Sequence, residues 1–127
     1  MSDISSVSTS NAPSPAGPYN QAVRAGDFVF IAGQTARIPG GGLIEGAPED
    51  HCRQALKNLA TVAAAAGGSL DNAVKVHVYL ADLAWKPTFD AVYQEVVGGG
   101  AARSTVCAAP PTGHVEVDAI LYLPQLG

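Results

Sequence analysis

Two stretches of this chain alternate strictly between apolar and polar residues. Val74, Val76, Val78 and Leu80 share one parity while Lys75, His77 and Tyr79 take the other. Val115, Val117, Ala119 and Leu121 likewise alternate with Glu116 and Asp118. A period of two predicts half-buried strands over residues 73–80 and 115–123. Between them the period lengthens. Cys52, Leu56, Leu59, Ala63 and Ala66 fall at three- and four-residue steps, predicting a helix over 48–66 with Pro48 and two acidic residues in its first turn and Gly67-Gly68 at its end. Phe89, Val92, Tyr93, Val96 and Val97 predict a second helix over 87–97.

Toward the start, Gly26-Asp27 separates two short runs, 21–25 and 28–32, as the turn of a β-hairpin. Phe28-Val29-Phe30-Ile31 is apolar at every position, which predicts cover on both faces of that strand. A further strand follows the glycines at 98–100, over 104–108. Residues 1–16, rich in Ser, Pro and Ala, read as an irregular N-terminal arm of a single domain spanning 1–127. The predicted order is ββαβαββ, an α+β fold with one sheet and both helices on one face. Glu116, Asp118, Lys75, His77 and Tyr79 then point to the face without helices.

Composition sharpens this picture. Hydrophobic residues make up 47% of the 127 and charged residues only 14%, against roughly 25% in an average soluble domain. So few charges leave a lone small domain poorly covered, and a homo-oligomer that hides part of its surface is the expected remedy. A net charge of −4, with seven scattered Lys and Arg, argues against a nucleic-acid partner, which calls for a basic patch. No apolar run approaches 18 residues and the start has no charged n-region, so neither a membrane span nor a signal peptide is expected. Cys52 and Cys107 have no metal or redox spacing, and free thiols in a cytoplasmic protein are the expectation.

Several motifs fail on inspection. The glycines at 40–42 lack both the third glycine and the lysine of a phosphate loop, and Asp71 stands where a nucleophile elbow needs glycine. His51, His77 and His114 are not spaced as zinc ligands, so no metal is expected. Cys107 shares the strand parity of Arg103, but no histidine partner is evident for a nucleophilic thiol. Arg103 itself, at the mouth of a strand of small and β-branched residues, carries a permanent charge and a planar fork of donors suited to gripping a small carboxylate.

Five segments in order resemble the reactive-intermediate deaminase family (RidA, also called YjgF). They are Gly17-Pro18-Tyr19-Asn20-Gln21-Ala22, Phe30-Ile31-Ala32-Gly33-Gln34, Gln54-Ala55-Leu56-Lys57-Asn58-Leu59, Ala102-Arg103-Ser104-Thr105-Val106 and Val115-Glu116-Val117-Asp118-Ala119-Ile120. The resemblance covers residues 11 to about 122. It implies a chorismate-mutase-like fold, a homotrimer with clefts between subunits, and hydrolysis of enamines and imines of 2-oxo acids to the oxo acid and ammonia, without cofactor. It also implies roles. Arg103 clamps the substrate carboxylate, Glu116 orients the attacking water, and Tyr19 walls the cleft. Gly33 and Thr105 help hold the substrate. Ala32 stands where a serine is common, and Tyr93 puts a bulky ring near the substrate's tail. These departures leave open a larger substrate in a dedicated pathway, or a non-catalytic trimer that binds 2-oxo acids. The ribonuclease activity also attached to the family fits the acidic charge least.

Overall fold

The computed structural model describes residues 3–125. Its centre is the pair of strands with the alternating pattern. β4 (Ala73–Leu80) and β6 (Val115–Tyr122) pair antiparallel, and Val76, Val78 and Leu80 lie beside Val115, Val117, Ala119 and Leu121 in the core. The sheet has six strands in the order β1-β2-β3-β6-β4-β5, where β1 is Ile4–Val7, β2 Ala22–Ala25, β3 Phe28–Gln34 and β5 Ala102–Cys107. All pairs are antiparallel except β4 with β5, which the second helix connects as a crossover.

The helices α1 (Pro48–Ala65) and α2 (Lys86–Val96) pack against one another and cover the face that carries the valines. In α1 the buried stripe is Cys52, Ala55, Leu56, Leu59, Val62 and Ala63. In α2 it is Phe89, Val92 and Tyr93. Small residues dominate α1, which lets its axis approach the sheet closely. The Cys52 thiol, sealed in this layer, is pushed up to about 11, burial being the main cause. It is a core side chain, not a nucleophile.

Three expectations need correction. The N-terminal arm is not irregular throughout, because Ile4–Val7 pairs with β2 as a short edge strand. Its residues carry no alternation that would have marked it. Val74 does not join the core face. The register shifts between Ala73 and Lys75, so Ala73 is buried and Val74 is 45% exposed. The run Phe28–Ile31 is not covered on both faces of this chain. Val29 and Ile31 are buried, whereas Phe28 and Phe30 stand 42% and 46% exposed on the face without helices.

The arm is pinned by one buried side chain. Gln21 accepts from the Thr9 N–H through Oε1 at 2.6 Å and donates through Nε2 to the carbonyls of Thr9 (3.0 Å), Pro13 (2.9 Å) and Ala12 (3.4 Å). Replacing it leaves buried carbonyls without donors. Gln21→Ala is therefore expected to lower stability by about 1–3 kcal/mol in urea unfolding, with amide exchange rising first at residues 9–16. An unchanged midpoint would contradict the pinning role.

Candidate active site

The predicted site residues fall into two groups on opposite faces of the sheet. The first is gathered at a β-bulge. Between Ile31 and Gln34, β3 advances three residues while β6 advances two, from Ala119 to Val117. The bulge brings Gly33 against Glu116 so closely that a Cβ on Gly33 would lie 2.7 Å from the Glu116 carboxyl carbon and from Oε2. A side chain at this position would push the Glu116 carboxyl out of its place. Ala32 stands beside it, its N–H donating to the Gln21 carbonyl at 2.9 Å and its own carbonyl accepting from Gln34 Nε2 at 3.3 Å.

Gly33 and Glu116 line a cavity of about 390 Å3 together with Tyr19, Arg37, Pro111 and Thr112. Tyr19 is half exposed, and its hydroxyl accepts from the Ala16 N–H at 3.1 Å, fixing the ring at the cavity wall. Burial pushes the Glu116 carboxyl up, and the Asp118 charge on the same face adds to this. A carboxyl so raised exchanges protons more readily near neutral pH than an ordinary glutamate. Asp118 is itself bound from β4, accepting from the Tyr79 hydroxyl at 3.1 Å and lying 2.7 Å from His77 Nδ1.

The second group surrounds Arg103 on the helix side of β5. Its Nε donates to Thr105 Oγ1 at 3.0 Å and its Nη2 to Asp90 Oδ1 at 2.5 Å. Its guanidinium carbon lies 4.7 Å from the centre of the Tyr93 ring and 5.5 Å from that of Phe89. Asp90 also accepts from Lys86 Nζ at 2.8 Å. Burial opposes ionisation of Asp90, but the hydrogen bonds and charges of Lys86 and Arg103 outweigh it and hold the carboxyl below its usual range. Nε and Nη2 are engaged, while among the described residues no hydrogen bond is made by Nη1.

The structure thus brings Thr105 and Tyr93 to Arg103, and Gly33 and Tyr19 to Glu116. It does not bring Arg103 to Glu116 within one chain. β4 lies between their strands, and the two side chains leave opposite faces. Sequence reasoning missed Arg37 and Asp90. The spacing of Lys86 and Asp90, one helical turn apart, was the only available signal for the latter. His51 and His114, distant in sequence, have ring centres 5.5 Å apart, and Trp85 stacks on His114 at 4.6 Å. Among the described residues no cluster of three or more His, Cys, Asp or Glu is arranged to hold a metal ion.

The family model described as Endoribonuclease L-PSP matches residues 9–123. This chain belongs to that family, the RidA/YjgF proteins. A RutC-family protein of Pyrococcus horikoshii is 39% identical over 120 residues, covering 91% of this chain and 95% of its own. The 2-iminobutanoate/2-iminopropanoate deaminase of Mus musculus is 37% identical over 118 residues, covering 90% and 87%. The crystal structure of RidA from an Antarctic Psychrobacter matches with a TM-score of 0.86 at 35% identity, over 94% of this chain and 99% of that one.

The raised Glu116 makes a stability prediction. Above its folded pKa the native state holds an ionised carboxylate against its burial, and below the ordinary glutamate value, about 4.3, that cost is absent in both native and unfolded chains. Glu116→Gln is therefore expected to melt higher than the parent at pH 7, with the gap closing as pH falls toward 4. A gap that stays constant across that range would remove the desolvation argument.

Proposed function

We propose that this protein hydrolyses reactive 2-imino and enamino acids to 2-oxo acids and ammonia, in clefts formed between copies of the chain in a cytoplasmic homotrimer. The observation that carries this reading is the division of the site. One chain offers Arg103 without a base on one face, and Glu116 with its cavity, out of reach of Arg103, on the other. A second copy supplies what each half lacks. The bare sheet face gives a reason for assembly, because Phe28, Phe30 and Tyr122 expose their rings there with nothing over them in one chain. The deaminase name borne by the mouse relative supports the chemistry.

The reaction asks little of the protein beyond placement. The enamine tautomerises to the imine, whose carbon is already electrophilic once the nitrogen is protonated. Arg103 binds the 2-carboxylate through its guanidinium. Glu116, ionised, takes a proton from a water as the oxygen bonds to the imine carbon, giving a carbinolamine. That proton then passes to the nitrogen and the C–N bond breaks, the hydroxyl giving its own proton to Glu116 as the carbonyl forms. Glu116 returns it to the departing ammonia, which leaves as ammonium. One water is consumed and no electrons change hands. Positioning and one proton relay account for the step. No helix among the described residues is long and apolar enough to cross a membrane. Net charge of −4 without a basic cluster gives no support to an RNA substrate.

The test couples an amino-acid oxidase to the protein and follows loss of the imine trapped by semicarbazide. Wild type is expected to accelerate that loss, whereas Arg103→Ala and Glu116→Gln are each expected to abolish the acceleration while eluting as the parent does. Co-expressing the two inactive variants tests the shared cleft. Mixed trimers pair an intact Arg103 with an intact Glu116 in about one quarter of clefts if subunits combine at random, so that fraction of activity is expected to return. No acceleration by wild type overturns the deaminase reading, and no recovery on mixing overturns the shared cleft.

A further inference from the structure

The cavity beside Glu116 holds a second guanidinium that imine hydrolysis leaves without a task. Arg37 lies three residues beyond the end of β3, and its main chain is fixed from the core. Asn58 of α1, 1% exposed, donates through Nδ2 to the carbonyls of Arg37 at 2.7 Å and Thr35 at 2.9 Å, while its Oδ1 accepts from Gln54 Nε2 at 2.9 Å. A fully satisfied buried amide is a strong anchor for a loop. It holds Arg37 in a defined place.

The side chain is committed far less. Its Nη1 donates to the Ser14 carbonyl at 3.2 Å, and among the described residues its charge joins no carboxylate, while Arg53, Lys86 and Arg103 all do. Glu116 shares the cavity with it and is still pushed up by burial and Asp118, with no compensating pull from Arg37. The two groups line the same space without forming an ion pair with one another. That space, about 390 Å3, admits about a dozen waters at ~30 Å3 each. A four-carbon imino acid has seven heavy atoms and leaves part of it unfilled.

Charge and shape then indicate what occupies the remainder. The reacting end of the substrate is engaged by Arg103 at the carboxylate and Glu116 at the imine carbon. An arginine lining the same cavity, with four of its five donors uncommitted, suits a second planar anion. No second cation lines the cavity among the described residues, so a carboxylate fits better than the two charges of a phosphate. We propose that Arg37 receives a carboxylate at the far end of the substrate, so that 2-imino dicarboxylic acids are the preferred substrates. This assignment rests on the imine-hydrolase reading of the same cleft. The reaction that supplies such a substrate is a two-electron oxidation of an acidic amino acid at its α-carbon, or loss of a β-substituent from one that carries it.

The experiment compares imines that oxidases generate from aspartate and glutamate with those from alanine and 2-aminobutanoate. Wild type is expected to show a kcat/KM at least tenfold higher for the dicarboxylic imines. In Arg37→Gln the ratio of dicarboxylic to monocarboxylic kcat/KM is expected to fall at least tenfold, and Arg37→Lys to recover part of it. If Arg37 only braces the arm through Ser14, both substrate classes decline together and the ratio stays put, which overturns the proposal. Calorimetry with 2-oxoglutarate and 2-oxobutanoate separates this failure from that of the parent reading. Tighter binding of 2-oxoglutarate that Arg37→Gln removes supports the second carboxylate site even where no imine is turned over. Equal binding of the two acids by wild type sinks it.

Discussion

A sheet covered by helices on one side only is the constraint from which the rest of this structure follows. Strict alternation in β4 and β6 sends one set of side chains beneath α1 and α2 and leaves the other set with no layer over it. That second set combines the Asp118, His77 and Tyr79 network with exposed rings of Phe28, Phe30 and Tyr122. Polar groups already tied to one another tolerate being covered far better than unpaired ones. A face of exposed aromatic rings and satisfied polar pairs is therefore suited to meeting another copy of itself.

The position of Glu116 depends on the bulge in β3. In a regular ladder every backbone group of β3 and β6 would pair, and no glycine would be singled out. One extra residue bends β3, and Gly33 passes so near the Glu116 carboxyl that any side chain would displace it. Partial burial, with the Asp118 charge beside it, raises the carboxyl without fully sealing it from solvent.

Much of this was legible from the order of residues, because period two and period 3.6 report directly on which side faces a core. The strands over 73–80 and 115–123 and both helices were readable on that basis. The bulges were not. Nothing local marks Val74 as the residue that turns outward, since the shift arises from how β4 meets β6. Phe28 and Phe30 misled for the opposite reason, as their apolar character answers to a layer that a single chain does not contain. For the site, Arg103 and Glu116 stood out by chemistry and by resemblance, but their placement on opposite faces needed the topology. Arg37 carries no periodic signature and became visible only through the cavity it lines and the buried Asn58 beneath it.

The clamp on the helix side explains why a lone arginine on an edge strand can be precise. Edge positions leave long side chains free to wander, and fixing one costs about 2 kcal/mol of rotamer entropy at binding if it is not already fixed. Here Thr105 takes Nε, Asp90 takes one hydrogen of Nη2, and the rings of Tyr93 and Phe89 support the plane. Asp90 does not compete as a free carboxylate would, because Lys86 holds its other oxygen and shares its charge. Those contacts lie within one chain, so the plane of the guanidinium is set without any ligand. The other face differs in kind, for there Glu116 and Arg37, of opposite charge, line one cavity without an ion pair between them.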